Sequence, residues 1–170
     1  ALAERLDKGE LDVAVIAGPA SRSALTSVPL AHARFAWCAG LGVARGLHQM
    51  DAEAVQSHAL VTLPQGSGVT HLIDGWLRHA DARPARRLVC NHWGAIVGLL
   101  AQGSGIGLLP EGWAQALHAR DVLQVLPSLV PLGALDYALH SRSDDLRPLV
   151  SMLHGLAAQH ADFTVASGAF

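Results

Sequence analysis

Asn91–Pro110 reads NHWGAIVGLLAQGSGIGLLP. Trp93, Ile96, Val97 and Leu100 recur at helical spacing, and Gly103 stops that helix. Ile106–Leu109 is a short continuous apolar run of the kind a buried strand carries, and Pro110 suits the first turn of a following helix that runs to about His118. Gly103, Gly105 and Gly107 are spaced two apart, but the helix precedes them, so they are not a dinucleotide fingerprint. They read as a helix stop and a tight entry into a strand, with room for a ligand to approach the backbone near Gly105. Strand ends and helix starts meet here, as they do in the ligand sites of α/β proteins.

Working outward, the same alternation continues. Asp12–Ala17 (DVAVIA) is an apolar run expected of a strand buried on both faces. Residues 25–30 and 33–39 are strand-like, with Phe35 and Trp37 on one face of the second. Gly40–Gly46 reads as a loop and Asp51–Gln56 as a short helix. Ala59–Leu63 (ALVTL) is a strand, and Pro64–Gly68 (PQGSG) turns into the most periodic helix, with Val69, Leu72, Ile73, Trp76, Leu77 and Ala80 on one stripe. Strands follow at Arg87–Cys90, Leu123–Leu126 and Asp136–Ser141. A final helix has Asp144 or Asp145 as cap, Pro148 in its first turn, and Leu146, Leu149, Val150, Leu153, Leu156 and Ala157 as its buried side. Strands alternating with helices give an α/β fold with largely parallel sheets.

With 170 residues, 51% of them hydrophobic, the chain can bury a core. Charged residues make up 15% and the net charge is −2, which supplies no basic surface for nucleic acid. Cys38 and Cys90 sit in apolar runs and read as free buried thiols, which fits the reducing cytoplasm. No apolar run is long enough to span a bilayer, so no membrane partner is expected. The opening helix (Leu2, Leu6, stopped at Gly9) feeds a buried strand directly, which suggests a fragment whose first strand is missing.

Two segments carry the chemistry. Gln65, Gly66, Ser67 and Gly68 precede the strongest helix, whose start offers unpaired N–H groups to a carboxylate or other anion; Ser67 either caps that helix or offers its hydroxyl to the ligand. Asn91 and His92 open the next helix, with Asn91 a good N-cap and Trp93 a ring for an apolar ligand body or for the core. Pro19 and Arg22 lie in the loop after the first strand, where Arg22 pairs with an anionic ligand or is solvated. Gly40–Gly46 (GLGVARG) superficially suggests a nucleotide loop, but no convincing helix follows and no acidic residue ends the next strand. The ten histidines are scattered without metal-ligand spacing, and no nucleophile elbow or Ser–His–acid set is recoverable, so neither metal, cofactor nor catalysis is expected.

Leu6–Gly18 (LDKGELDVAVIAG), Leu63–Leu77 (LPQGSGVTHLIDGWL), Asn91–Pro110 and Tyr137–Leu156 (YALHSRSDDLRPLVSMLHGL), in that order, resemble the effector-binding domain of LysR-type transcriptional regulators. The resemblance implies a two-lobed type 2 periplasmic-binding-protein-like fold with an incomplete first lobe: residues 1–58 in lobe I, 59–134 in lobe II and 135–170 returning to lobe I. ALVTL and DYALHS would be the crossovers. It implies a small-molecule effector, a carboxylate or aromatic metabolite, held in the cleft between lobes. DNA would be contacted only through an N-terminal winged helix-turn-helix absent from this chain, and the full-length protein would be a homodimer or homotetramer. Gly40–Leu47 (GLGVARGL) departs from the family's usual pattern after that strand. A transporter's solute-binding protein, or a bilobed α/β enzyme, shares the architecture.

Overall fold

The computed structural model describes residues 2–18 and 23–162. The elements in chain order are α1 (Leu2–Asp7), β1 (Val13–Ala17), β2 (Leu25–Ala33), β3 (Phe35–Gly40), α2 (Leu41–Ala44), α3 (Ala52–Ser57), β4 (Leu60–Thr62), α4 (Gly68–His79), β5 (Arg87–Val89), α5 (Trp93–Ala101), β6 (Ile106–Pro110), α6 (Glu111–His118), β7 (Leu123–Leu126), β8 (Leu135–Arg142) and α7 (Pro148–His160). The described residues form two compact units, one built from residues 2–18, 23–33 and 135–162, the other from Arg34–Ala134.

In the first unit β8 lies between β1 and β2 and is antiparallel to both, with Leu139 opposite Val15 on one side and Val28 on the other. The register of β2 shifts between Pro29 and Ala31, where a residue without an N–H sits on an edge strand. Arg147 ties the unit's loops together, bonding Asp145 through its Nε at 2.8 Å and also reaching Asp12. The Asp145 side chain is only 3% exposed. The Arg147 hydrogen bond holds its carboxyl down at about 2, and the same contacts push Arg147 further up.

In the second unit the strand order is β5-β4-β6-β3-β7. β4 runs parallel to β5 and β6, while β3 is antiparallel to β6 and β7. Cys38, Val61, Ile96, Leu100, Leu109 and Leu123 share one buried cluster. The periodic helix α4 buries Val69, Ile73, Trp76 and Leu77 as its spacing predicts. Trp76 packs edge-on to Trp37 at 5.1 Å, and its Nε1 donates to Ser128 Oγ at 2.8 Å.

Several expectations change. The sheets are mixed and not largely parallel: β4 is parallel to β5 and β6, while the β1–β8, β2–β8, β3–β6 and β3–β7 pairings are antiparallel. Nor is Asp12–Ala17 buried on both faces: β1 is an edge strand with no fully buried residue, and Val15 is 45% exposed, so an apolar run fixes neither its burial nor the direction of its neighbours. Neither ALVTL nor DYALHS is a crossover. Each is an interior strand, flanked on both sides, and the units divide at Ala33/Arg34 and Ala134/Leu135. Residues 34–58 therefore belong with the second unit, because β3 pairs with β6 and β7. The 40–46 loop contains the short helix α2. Neither Asp144 nor Asp145 is the N-cap of α7; Arg147 occupies that position, and Asp145 Oδ1 accepts its N–H at 3.2 Å. Of the stripe expected to be buried on α7, Val150 is buried, but Leu146 is 89% exposed and Leu149 and Leu156 are about half exposed. Helical spacing says which residues share a face, not whether anything covers it.

Candidate functional site

β5, β4 and β6 run in one direction, so their C-terminal ends lie along one rim of the second unit's sheet, and each feeds a helix. β4 leads through Leu63–Ser67 into α4, β5 through Cys90–His92 into α5, and β6 directly into α6. The first two loops are neighbours: Thr62 pairs with Val89, and Cys90 N–H donates to Thr62 O at 2.9 Å. Three helix starts thus share the rim, with first-turn amides lacking intrahelical acceptors.

Gln65 and Gly66 are exposed on the first loop, and Gly66 holds the left-handed backbone (φ +86) that lets the chain turn into α4. Ser67 is the N-cap: its Oγ accepts Thr70 N–H at 3.1 Å and donates to Thr70 Oγ1 at 3.2 Å. Gly68 opens the helix. On the second loop Asn91 is exposed but is not the cap. His92 takes that place, and its Nδ1 accepts Gly94 N–H at 3.0 Å, so the neutral ring carries its proton on Nε2. Sequence favours Asn91 on capping preference; the turn geometry puts the imidazole one residue closer to the amide. Pro19 and Arg22 lie outside the described residues.

A cavity of about 270 Å³ opens beside the first loop, lined by Thr62, Leu63, Gln65, Thr70, Asp74 and Arg87, among others. Thr62 is 2% exposed and its Oγ1 has no hydrogen-bond partner. Arg87 pairs with Asp74 at 2.7 Å, across thirteen residues of sequence that carry no signal of the contact. Along the same rim Trp93 stacks on Phe35 at 6.4 Å and meets Trp113 edge-on at 6.2 Å. This aromatic cluster was not legible either, since its members lie on three separate elements, Phe35 on β3, Trp93 on α5 and Trp113 on α6.

The glycines of the 103–107 segment are structural. Gly103 (φ +74) ends α5, donating to Leu100 O while Ser104 N–H reaches Leu99 O. A Cβ on Gly105 would lie 2.1 Å from Ala59 O, so its bare backbone serves strand packing and not a ligand. Burial pushes the Cys38 thiol up to about 12, and both cysteines are free. Among the described residues no group of three or more His, Cys, Asp or Glu could hold a metal ion, and no helix is long and apolar enough to cross a membrane.

These features define an α/β ligand-binding domain with its polar rim at strand ends and helix starts. Residues 1–162 match the LysR substrate binding domain family, and the chain belongs to it: it is an effector-sensing regulatory domain of the LysR-type transcriptional regulators. The fold agrees with solved structures. It is similar to the effector binding domain of QuiR in complex with shikimate (TM-score 0.77, 16% identity, covering 94% of this chain and 76% of that one). It is also similar to the regulatory domain of MetR, a LysR family regulator from N. meningitidis (0.75, 15%, 96% and 76%). A reduced form of OxyR from N. meningitidis is a third (0.72, 18%, 98% and 78%). No curated protein matches the chain at a comparable level.

Proposed function

We infer that this domain senses a small organic anion, a carboxylate or an aromatic metabolite, at the rim where the Gln65–Gly68 and Asn91–His92 loops meet, and does not transform it. The observation that carries this reading is the adjacency of those loops on neighbouring parallel strands, joined by the Cys90–Thr62 hydrogen bond. Helix starts favour negative charge. The exposed Gln65 and Asn91 side chains supply orienting polar groups, and Phe35, Trp93 and Trp113 supply apolar surface for a ring. In the full-length regulator, a homodimer or homotetramer working in the cytoplasm, the effector acts by binding one arrangement better than another, and a winged helix-turn-helix outside this sequence contacts DNA.

Thermal-shift titration with benzoate, shikimate and the neutral benzamide tests it. A carboxylate at a hundred times its Kd adds about 2.7 kcal/mol, a rise of roughly 5–10 °C in Tm. The neutral probe gives a smaller rise, and the Gln65→Ala/Asn91→Ala pair removes the effect. A carboxylate response that survives the double substitution, or none from any probe, sinks the reading.

A further inference from the structure

β7 is the last strand of the second unit's sheet, so one edge of its backbone faces away from β3. An open edge of this kind is a template for another strand unless it is covered. The chain itself takes up the neighbouring position only just beyond β7: Met50 makes an isolated parallel bridge with Ser128, and its N–H donates to Pro127 O at 2.7 Å. Before Met50 the backbone does not follow β7. It forms α2 and a turn, and leaves a groove of about 450 Å³ with Gln124–Pro127 on one wall and Leu41, Arg45, Leu47 and His48 on the other. The groove is thus the unfilled continuation of a sixth strand whose last step the protein makes with Met50.

Its lining also states a preference. Leu41, Leu47 and Val125 are apolar, no acidic residue lines it, and the exposed Arg45 guanidinium has no ion pair or side-chain hydrogen bond among the described residues. We propose that β7 accepts an extended acidic–apolar peptide segment from a partner protein, which adds as a strand in this groove with its carboxylate at Arg45. β7 has four residues, Leu123–Leu126, which at a rise of about 3.3 Å each sets the length of a matching segment. The proposal does not depend on the effector reading, whose residues lie on other loops.

The test uses the whole chain, ¹⁵N-labelled, titrated with the blocked tetrapeptide Ac-Val-Glu-Val-Asp-NH₂. Amide shifts are expected at residues 41–48 and 123–126, away from 62–70 and 90–93. The charge-reversed Ac-Val-Lys-Val-Lys-NH₂ is expected to bind more weakly. Arg45→Glu is expected to weaken the acidic peptide about fivefold or more, the scale of a partly exposed ion pair turned repulsive, and to improve the basic one. N-methylation of both peptide valines removes two strand donors and is expected to abolish binding. Equal binding of the N-methylated peptide, shifts elsewhere, or no shifts at all would overturn the proposal. So would shifts at 123–126 that grow with protein concentration alone, because a second copy would then be the occupant.

Discussion

A methyl group on Gly105 would meet the Ala59 carbonyl oxygen at 2.1 Å, and one on Gly40 would meet Leu100 O at 2.3 Å; both obstacles are backbone. Gly105→Ala is therefore expected to cost about 1–3 kcal/mol, read as a lower denaturation midpoint with unchanged m-value. A midpoint within error of the parent would show that the two strands can part more easily than their packing implies. Cysteine chemistry separates the two thiols. Cys38 is fully buried with its pKa raised to about 12, whereas Cys90 is only half-buried, so an aromatic disulfide reagent at pH 8 is expected to label Cys90 first. Preferential labelling of Cys38 would contradict its burial. Asp145 titrates at about 2, below an ordinary carboxyl, because Arg147 bonds its ionised form. Its contribution is complete above about pH 4 and is lost as pH falls through about 2. Asp145→Asn should thus flatten the acid limb of Tm against pH in that window, and an unchanged limb would mean that other groups carry it. None of these three contacts was legible in sequence, since each partner is remote or depends on a turn.

Helix boundaries, by contrast, were largely legible. The α4 stripe and the Gly103 stop follow from spacing and from glycine's freedom at positive φ, both local properties. Of the three caps read from sequence only Ser67 held, since Arg147 takes the place expected of Asp144 or Asp145 at α7. Ser67 caps α4, but His92 displaces Asn91 at α5, a choice between adjacent acceptors that backbone propensity alone does not resolve. Ser67→Ala is expected to remove about 1 kcal/mol by orphaning the Thr70 amide, measurable by urea denaturation without ligand. A larger loss would implicate the Thr70 hydroxyl, which also leans on Ser67 O at 2.8 Å. At the far end of α4, Asp81 holds a left-handed conformation (φ 47), and Ala82 N–H returns to Leu77 O. Asp81→Gly should raise Tm modestly, because glycine takes that conformation without steric cost; a fall would mean that the carboxylate has a role of its own.

For the molecule as a whole, the alternation of strands and helices gave the α/β class, four motifs in order carried the family resemblance, and the Pro64–Gly68 and Asn91–Trp93 loops leave adjacent strands. Strand direction, the division at Ala33/Arg34 and Ala134/Leu135, and the place of β8 inside the first unit's sheet came only from the assembled chain. On α7, Leu149, Met152 and Leu156 stand about half exposed at helical spacing. Replacing all three with serine should reduce binding of a hydrophobic dye and lower Tm by roughly 5–15 °C, because each side chain is still about half buried. A collapse in Tm would reveal contacts that this face is not seen to make. By itself the sequence determined which segments are helix or strand, where helices stop, and which loops carry polar groups at helix starts, because periodicity, glycine conformation and capping act within a few residues. Only tertiary structure decided which strands neighbour one another, in which direction, and which apolar faces stay uncovered, because those depend on pairing between segments whose patterns record which residues share a face but not what covers it.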